Sequence, residues 1–218
     1  MELRWCPTFC QDTGIAFKNF QEEQSVKTSF YSKFELEDLG LAGFGEDIKL
    51  SRKVSIYSPE TISFGDHVRI DDFCILSGRI RIGSHVHIGA YSGLFGTEAI
   101  VMEDFSGLSS RVSIYTVSED YLGGGLTNPT VPDAFRHPVR GPVTLRKHVI
   151  VGAGSVILPG ATIGEGTAIG ALAVVHGSIT RWKVASGSLA RPKQDRRRDV
   201  IERYEADLRA GRSRPGRA

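Results

Sequence analysis

Three cysteines in 218 residues are too few for a disulfide framework. Cys6 and Cys10 form a lone C-x3-C with no second pair, a weak basis for a metal site. No apolar run reaches the ~18 residues that a membrane-spanning helix needs, and no signal-peptide core opens the chain. The expectation is a soluble, cytoplasmic protein without stable membrane insertion. There is little excess charge of one sign, a net of +2, but the charge is unevenly spread. Residues 181–218 hold 12 Lys and Arg against 5 Asp and Glu, a balance of +7 that leaves −5 on the first 180 residues. A solvated, partly helical tail explains that run better than a nucleic-acid contact does, so no nucleic-acid partner is expected.

What the chain does have is a beat. Eighteen times between Phe44 and Val175 a large apolar residue falls on a six-residue spacing, as at Ile70, Leu76, Ile82, Ile88 and Leu94. Two positions before each stands Ala, Ile, Val, Cys, Ser or Thr, and Cys74 occupies one of these inward places. Alternation reset every six residues marks short strands joined by tight corners. Three units make one triangular coil, so the sequence predicts an all-β fold. It is a parallel β-helix of about six coils, beginning near residues 42, 62, 80, 100, 143 and 161.

The boundaries follow from where the beat starts and fails. Residues 1–40 are an N-terminal segment whose stretch from Phe30 to Gly40 reads as a short capping helix. Residues 41–180 are the coils, and 181–218 a basic tail with a helix from about Gln194 to Leu208. Departures from the six-residue spacing all fall after the third strand of a coil: two residues after coils one and three, and 25 after coil four. The long excursion, 116–141, carries Tyr121, Leu126, Val131 and Phe135 beside its glycines. A loop of this length within a compact repeat, with apolar residues to dock, points to function.

Outward residues of stacked strands form ladders. On the second strand the ladder is Lys49, Arg69, His87, Gly107, Ile150, Ala168, which sets His87 between a guanidinium and a gap. Imidazole ordinarily changes charge near neutral pH and suits general-base work. A surface histidine packed against a neighbouring subunit fits the position equally well. The preceding corner gives Asp47, His67, His85, Phe105, His148, Gly166. Three histidines in a column suggest a metal, but Phe105 interrupts them and no carboxylate is seen to close the set. Histidine also tolerates a left-handed corner, which favours a structural role and no metal.

Several segments together, I-D-D-F-C at 70–74, V-H-I-G-A-Y at 86–91, I-Y-T-V-S-E-D-Y at 114–121, L-T-N-P-T-V-P at 126–132 and G-A-G-S-V-I-L-P-G at 152–160, resemble the hexapeptide-repeat acyltransferases. Within them the chain is similar to sugar acetyltransferases of surface-polysaccharide pathways that act on dTDP-4-amino-4,6-dideoxy sugars. The resemblance covers roughly residues 30–193. It implies a left-handed β-helix, a homotrimer with active sites between subunits, and acetyl-CoA as co-substrate. His87 matches the family's histidine. Gly96, Ala153 and Ala171 match positions that approach the pantetheine and thioester, and Arg191 and Lys193 are placed for the CoA phosphates. Asp120, Tyr121 and Asn128 would contact a sugar or nucleotide-sugar acceptor. The function implied is acyl-CoA-dependent acetylation of an amine or hydroxyl, with His87 as base. Two alternatives stand beside it. One is a carbonic-anhydrase-like zinc enzyme, whose G-H-x4-H-G pattern this chain lacks. The other is a non-catalytic structural or binding β-helix.

Overall fold

The computed structural model describes residues 29–212, so Cys6 and Cys10 lie outside the described residues. Helix α1 (Lys33–Asp38) begins with a capping box in which Ser32 and Glu35 satisfy each other's backbone N–H groups. Arg52 clamps Glu35 with two hydrogen bonds of 2.8 and 2.7 Å, and Leu36 is buried over the first coil, so the short helix covers the open end of the stack.

The coils follow the six-residue beat. Strands β1 (Gly43–Phe44), β2 (Lys49–Leu50) and β3 (Ser55–Tyr57) make coil one. Coil two is β4 (Ile62–Phe64), β5 (Arg69–Ile70) and the start of β6 (Ile75–Ile82), which runs on as the first strand of coil three. After β7 (His87–Ile88), β8 (Gly93–Met102) joins coil three to coil four in the same way, followed by β9 (Gly107–Leu108) and β10 (Ser113–Tyr115). Strands β11 (Val117–Ser118) and β12 (Val139–Arg140) pair antiparallel at the base of the excursion. Coil five is β13 (Val143–Leu145), β14 (Ile150–Val151) and β15 (Val156–Ile157). Coil six is β16 (Thr162–Ile163), β17 (Ala168–Ile169) and β18 (Val174–Val175).

The end of the coils expected at residue 180 is too early. Strands β19 (Ser178–Ile179) and β20 (Lys183–Ser186) pair parallel with β16 and β17, so a partial seventh coil extends the stack to Ser186. The spacing from Ile169 to Ala185 is two residues short of a full turn, which hides this coil from a six-residue count. Next, β21 (Arg191–Asp195) folds back antiparallel on β20 and takes up residues expected to begin the helix; helix α2 is Asp199–Arg209.

Inward residues are dry. Ile70, Leu76, Ile88, Leu94, Ile114, Val151 and Ile163 are fully buried, as is Cys74, whose thiol donates to Gly89 O at 3.3 Å and is pushed up to about 11 by burial. Corners before the second strand adopt positive φ at Asp47, His67, His85, Phe105, His148 and Trp182, a conformation that costs a non-glycine residue about 1–2 kcal/mol. Ring stacking offsets part of this cost. His67, His85, Phe105 and His148 stack with centroids 4.7–5.2 Å apart, a contact type worth about 0.5–1.5 kcal/mol each beyond burial. All departures from the beat leave from the corner after the third strand: a 3₁₀ turn at Pro59–Thr61, a register shift between β6 and β8, and the 116–141 excursion.

Candidate active site

The second strands of successive coils form one sheet in the order β2-β5-β7-β9-β14-β17-β20-β21. Its register places Lys49, Arg69, His87, Gly107, Ile150 and Ala168 in one column, with Val184 added by the seventh coil. His87 therefore points outward beside the bare backbone of Gly107. Its Nε2 lies 2.8 Å from Asp71 Oδ2, while Asp71 Oδ1 accepts Arg69 Nε at 2.7 Å. Burial pushes the Asp71 carboxyl up, but its hydrogen bonds from His87 and Arg69 outweigh this and hold it below its ordinary value. Sequence reasoning missed Asp71. It lies 16 residues before His87, close to one coil, and that spacing was the available signal.

These residues line a groove of about 430 Å³. Its floor is His87, Gly107 and Ile150. One bank is the stacked corner His85, Phe105 and His148, and the other is Asp71, Gly89 and Ser109–Ser110. Arg196 and Ile201, from the segment entering α2 and from α2 itself, close the remaining side.

The C-terminal helix is held by a part-buried charge cluster. His148, 7% exposed, lies with Nε2 2.8 Å from Glu205 Oε2, and Lys147 and Arg209 both donate to Glu205 Oε1 at 2.6 Å. A second carboxylate, Asp47, lies 3.2 Å from His67. The histidine column thus has two carboxylate partners: Asp47, which the corner ladder already sets beside His67, and Glu205, which comes from the far end of the chain and which the sequence did not reveal. Stacked rings separate them, and among the described residues no group of three or more His, Cys, Asp or Glu is arranged to hold a metal. Burial raises the Glu205 carboxyl, but the Lys147, Arg209 and His148 contacts prevail and bring it down to about 2. A carboxyl lowered in the folded state stabilises above its ordinary value of 4.5 and loses that contribution as pH falls towards 2. Glu205→Gln should cost about 2 kcal/mol near neutral pH, the scale of a lost part-buried hydrogen bond between charged groups. Melts of the two proteins should converge between pH 4.5 and 2, and parallel pH curves would refute this account of the clasp.

The other sequence-predicted residues fall in four places. Ala153 and Ala171 stack on the corner after the second strand, where Leu172 N donates to Ala153 O at 2.9 Å, continuing the bank that carries Ser110. Gly96 is elsewhere, in β8, where a Cβ would stand 2.8 Å from Arg79 O; close backbone approach at the register shift accounts for this glycine, and it does not line the groove. Arg191 and Lys193 are exposed on β21, five strands from His87 in the same sheet, or roughly 24 Å away.

The excursion lies outside the groove as well. Arg136, with a side chain only 10% exposed, pins it by bonding Glu119 at 2.6 Å and Asp133 at 3.2 Å. Asp120 accepts the backbone N–H groups of Leu122 and Gly124, and Asn128 Oδ1 accepts from Thr130, so both groups expected to meet a sugar shape turns of the loop. Tyr121 is 90% exposed. Beneath the loop two adjoining clefts are lined by Tyr115, Glu119 and Tyr121 against Val156 and Leu158, and by Asp120 and Leu122 against Pro159 and His176. Within one chain, the loop and His87 do not share a cavity.

Comparison with known proteins bears on these features. Residues 142–177 match the bacterial transferase hexapeptide family (six repeats). The chain is 39% identical over 177 residues, 80% of its length and 92% of the relative's, to a dTDP-4-amino-4,6-dideoxy-D-glucose acyltransferase of Escherichia coli. Its structure is similar to that of AntD, an N-acyltransferase from Bacillus cereus, in complex with dTDP and 3-hydroxybutyryl-CoA. The TM-score is 0.82 at 43% identity, covering 85% of this chain and 99% of that one. A single-site variant of AntD in complex with dTDP-4-amino-4,6-dideoxyglucose and coenzyme A gives the same TM-score and identity, over 84% and 100% of the two chains.

Proposed function

Because this chain belongs to the hexapeptide-repeat acyltransferases with a left-handed β-helix, we propose that it transfers an acyl group from coenzyme A to the amine of a dTDP-linked amino sugar. The relatives named above support the substrate class: one is an acyltransferase for such a sugar, and the other holds dTDP and acyl-CoA in its crystals. The observation in this chain that carries the reading is the groove over a hydrogen-bonded His87–Asp71 pair beside a residue without a side chain. The reaction serves surface-polysaccharide biosynthesis and belongs in the cytoplasm with its substrates. No helix among the described residues is long and apolar enough to cross a membrane.

The chemistry is direct transfer. The sugar amine attacks the thioester carbonyl, a C–N bond forms, and His87 takes the proton lost by nitrogen. The tetrahedral intermediate then expels the coenzyme A thiolate as the C–S bond breaks, and the proton held by His87 passes to that thiolate, which restores the neutral base. With Nε2 committed to Asp71, Nδ1 is the nitrogen left for the substrate, and it has no partner among the described residues. Cys74 is buried and its thiol is pushed up to about 11, so it supplies no nucleophile.

The remaining parts meet across subunits. In a homotrimer the excursion of one subunit, with Asp120, Tyr121 and Asn128, closes on the His87 groove of the next, and Gly96 reaches the thioester from that side. Support comes from exposed apolar residues gathered along the third strands and the corners before them, Tyr57, Phe73, Ile75, Tyr91 and Tyr115, a surface of the kind a partner subunit covers. A cyclic trimer repeats one such interface three times and yields three equivalent clefts. Coenzyme A lies along the sheet past Ala153 and Ala171, and its far phosphate reaches Arg191 and Lys193.

A thiol-release assay with acetyl- and 3-hydroxybutyryl-CoA against dTDP- and UDP-linked amino sugars tests the reading. Release of coenzyme A should depend on a dTDP-amino sugar and proceed with one acyl donor in preference to the other. Release that is unchanged by every acceptor, or activity with UDP-linked sugars alone, would overturn the assignment.

A further inference from the structure

Among the described residues, Arg196 is the one Lys or Arg lining the His87 groove. Its neighbours are neutralised: Arg197 pairs with Asp199, Arg198 with Glu202, and Arg209 with Glu205. Arg196 has no carboxylate partner among the described residues. Instead Nη1 donates to two carbonyl oxygens, His148 O at 2.8 Å and Gly166 O at 2.9 Å, while its backbone N–H donates to Trp182 O at 2.8 Å. These contacts fix the guanidinium against the corner of coils five and six and leave Nε and Nη2 without a partner among the described residues. The group is partly buried, and burial draws its pKa below the ordinary value. Holding an unpaired cation in such a place costs stability. A rigid planar fork with spare N–H groups in a groove is suited to a phosphate.

We propose that Arg196 binds the diphosphate of a substrate lying in the His87 groove. This rests on the groove being the acyl-transfer site. Arg196 sits two to three coils along the axis from His87, roughly 10–14 Å at one strand spacing per coil. A ligand that meets both residues has its reacting group at one end and its diphosphate a short arm away. Coenzyme A, with its diphosphate beyond the pantetheine arm, and a nucleotide sugar, with its diphosphate across the sugar ring, both have this form. The C-terminal segment thereby contributes a ligand as well as a wall, because the Glu205 clasp on α2 holds Arg196 over the groove.

Calorimetric titration of the full chain with coenzyme A and, separately, with dTDP tests this. Arg196→Gln should weaken one of the two by roughly 10–100-fold, the range for a hydrogen-bonded charged partner, and leave the other within about twofold. The ligand that loses affinity names the source of the diphosphate. Arg196→Lys, which keeps the charge, should recover part of the loss. Unchanged affinity for both ligands in Arg196→Gln overturns the proposal and leaves the function standing. An equal loss for both also overturns it, because Arg196 would then only hold α2 in place. A wild-type protein that binds neither ligand overturns this proposal and the proposed function together.

Discussion

Replacing His87 by alanine is expected to lower acyl transfer by roughly 10²–10⁴-fold, the usual worth of a positioned general base, with little change in melting temperature. The second half of that expectation follows from the ladder. His87 is an outward residue of β7, half exposed, and the inward Val86 and Ile88 that hold the strand are untouched. The loss should fall on kcat, because the proton leaves only as the C–N bond forms. Asp71→Asn separates positioning from chemistry. An asparagine can still meet Nε2, but it removes the negative charge that steadies the imidazolium, so the variant should keep its substrate affinity and shift the pH dependence of kcat. A loss smaller than tenfold in His87→Ala would remove His87 from the mechanism and move attention to groups of the excursion.

Gly107→Leu should abolish at least 99% of transfer while leaving the fold intact. Most glycines of the coils are demanded by backbone contact: a Cβ at Gly152 would stand 2.4 Å from Ala171 N, and one at Gly89 2.7 Å from Ser110 N. Gly107 is different. Its φ is ordinary, and the nearest atom to an added Cβ is His87 O at 3.5 Å. The β-helix does not require glycine there, and glycine in a strand costs about 0.5–1 kcal/mol relative to alanine. A leucine at 107 projects into the groove one strand spacing, about 4.8 Å, from His87. It therefore fills the space that a reacting group would take. Gly107→Ala should fall between wild type and the leucine variant. A Gly107→Leu protein with unchanged kcat/KM would show that the gap beside His87 serves no substrate.

The ladders were legible because the coil repeats. Once inward positions recur every six residues, the register of neighbouring strands follows from hydrogen bonding. Thus Arg69, His87 and Gly107 could be stacked from the sequence, as could the corner column of His67, His85, Phe105 and His148. The same count misjudged the C-terminal end, where the seventh coil is short and β21 doubles back. The place of Gly96 near the thioester comes from the resemblance and not from the count, and within one chain that glycine sits at the register shift between β6 and β8. Asp71 was overlooked because a corner aspartate is common, and only coordinates show its carboxylate turned to Nε2 of His87.

By itself the sequence determined the three-sided coil, the corner from which every insertion leaves, and the exposure of His87 beside a gap. These are local consequences of alternation and tight turns, with one coil constraining the next. Tertiary structure alone decided that Glu205 reaches back 57 residues to His148, that Arg196 closes the groove, and that the excursion lies away from His87 within one chain. Such contacts join segments outside the repeat, whose meeting no period encodes.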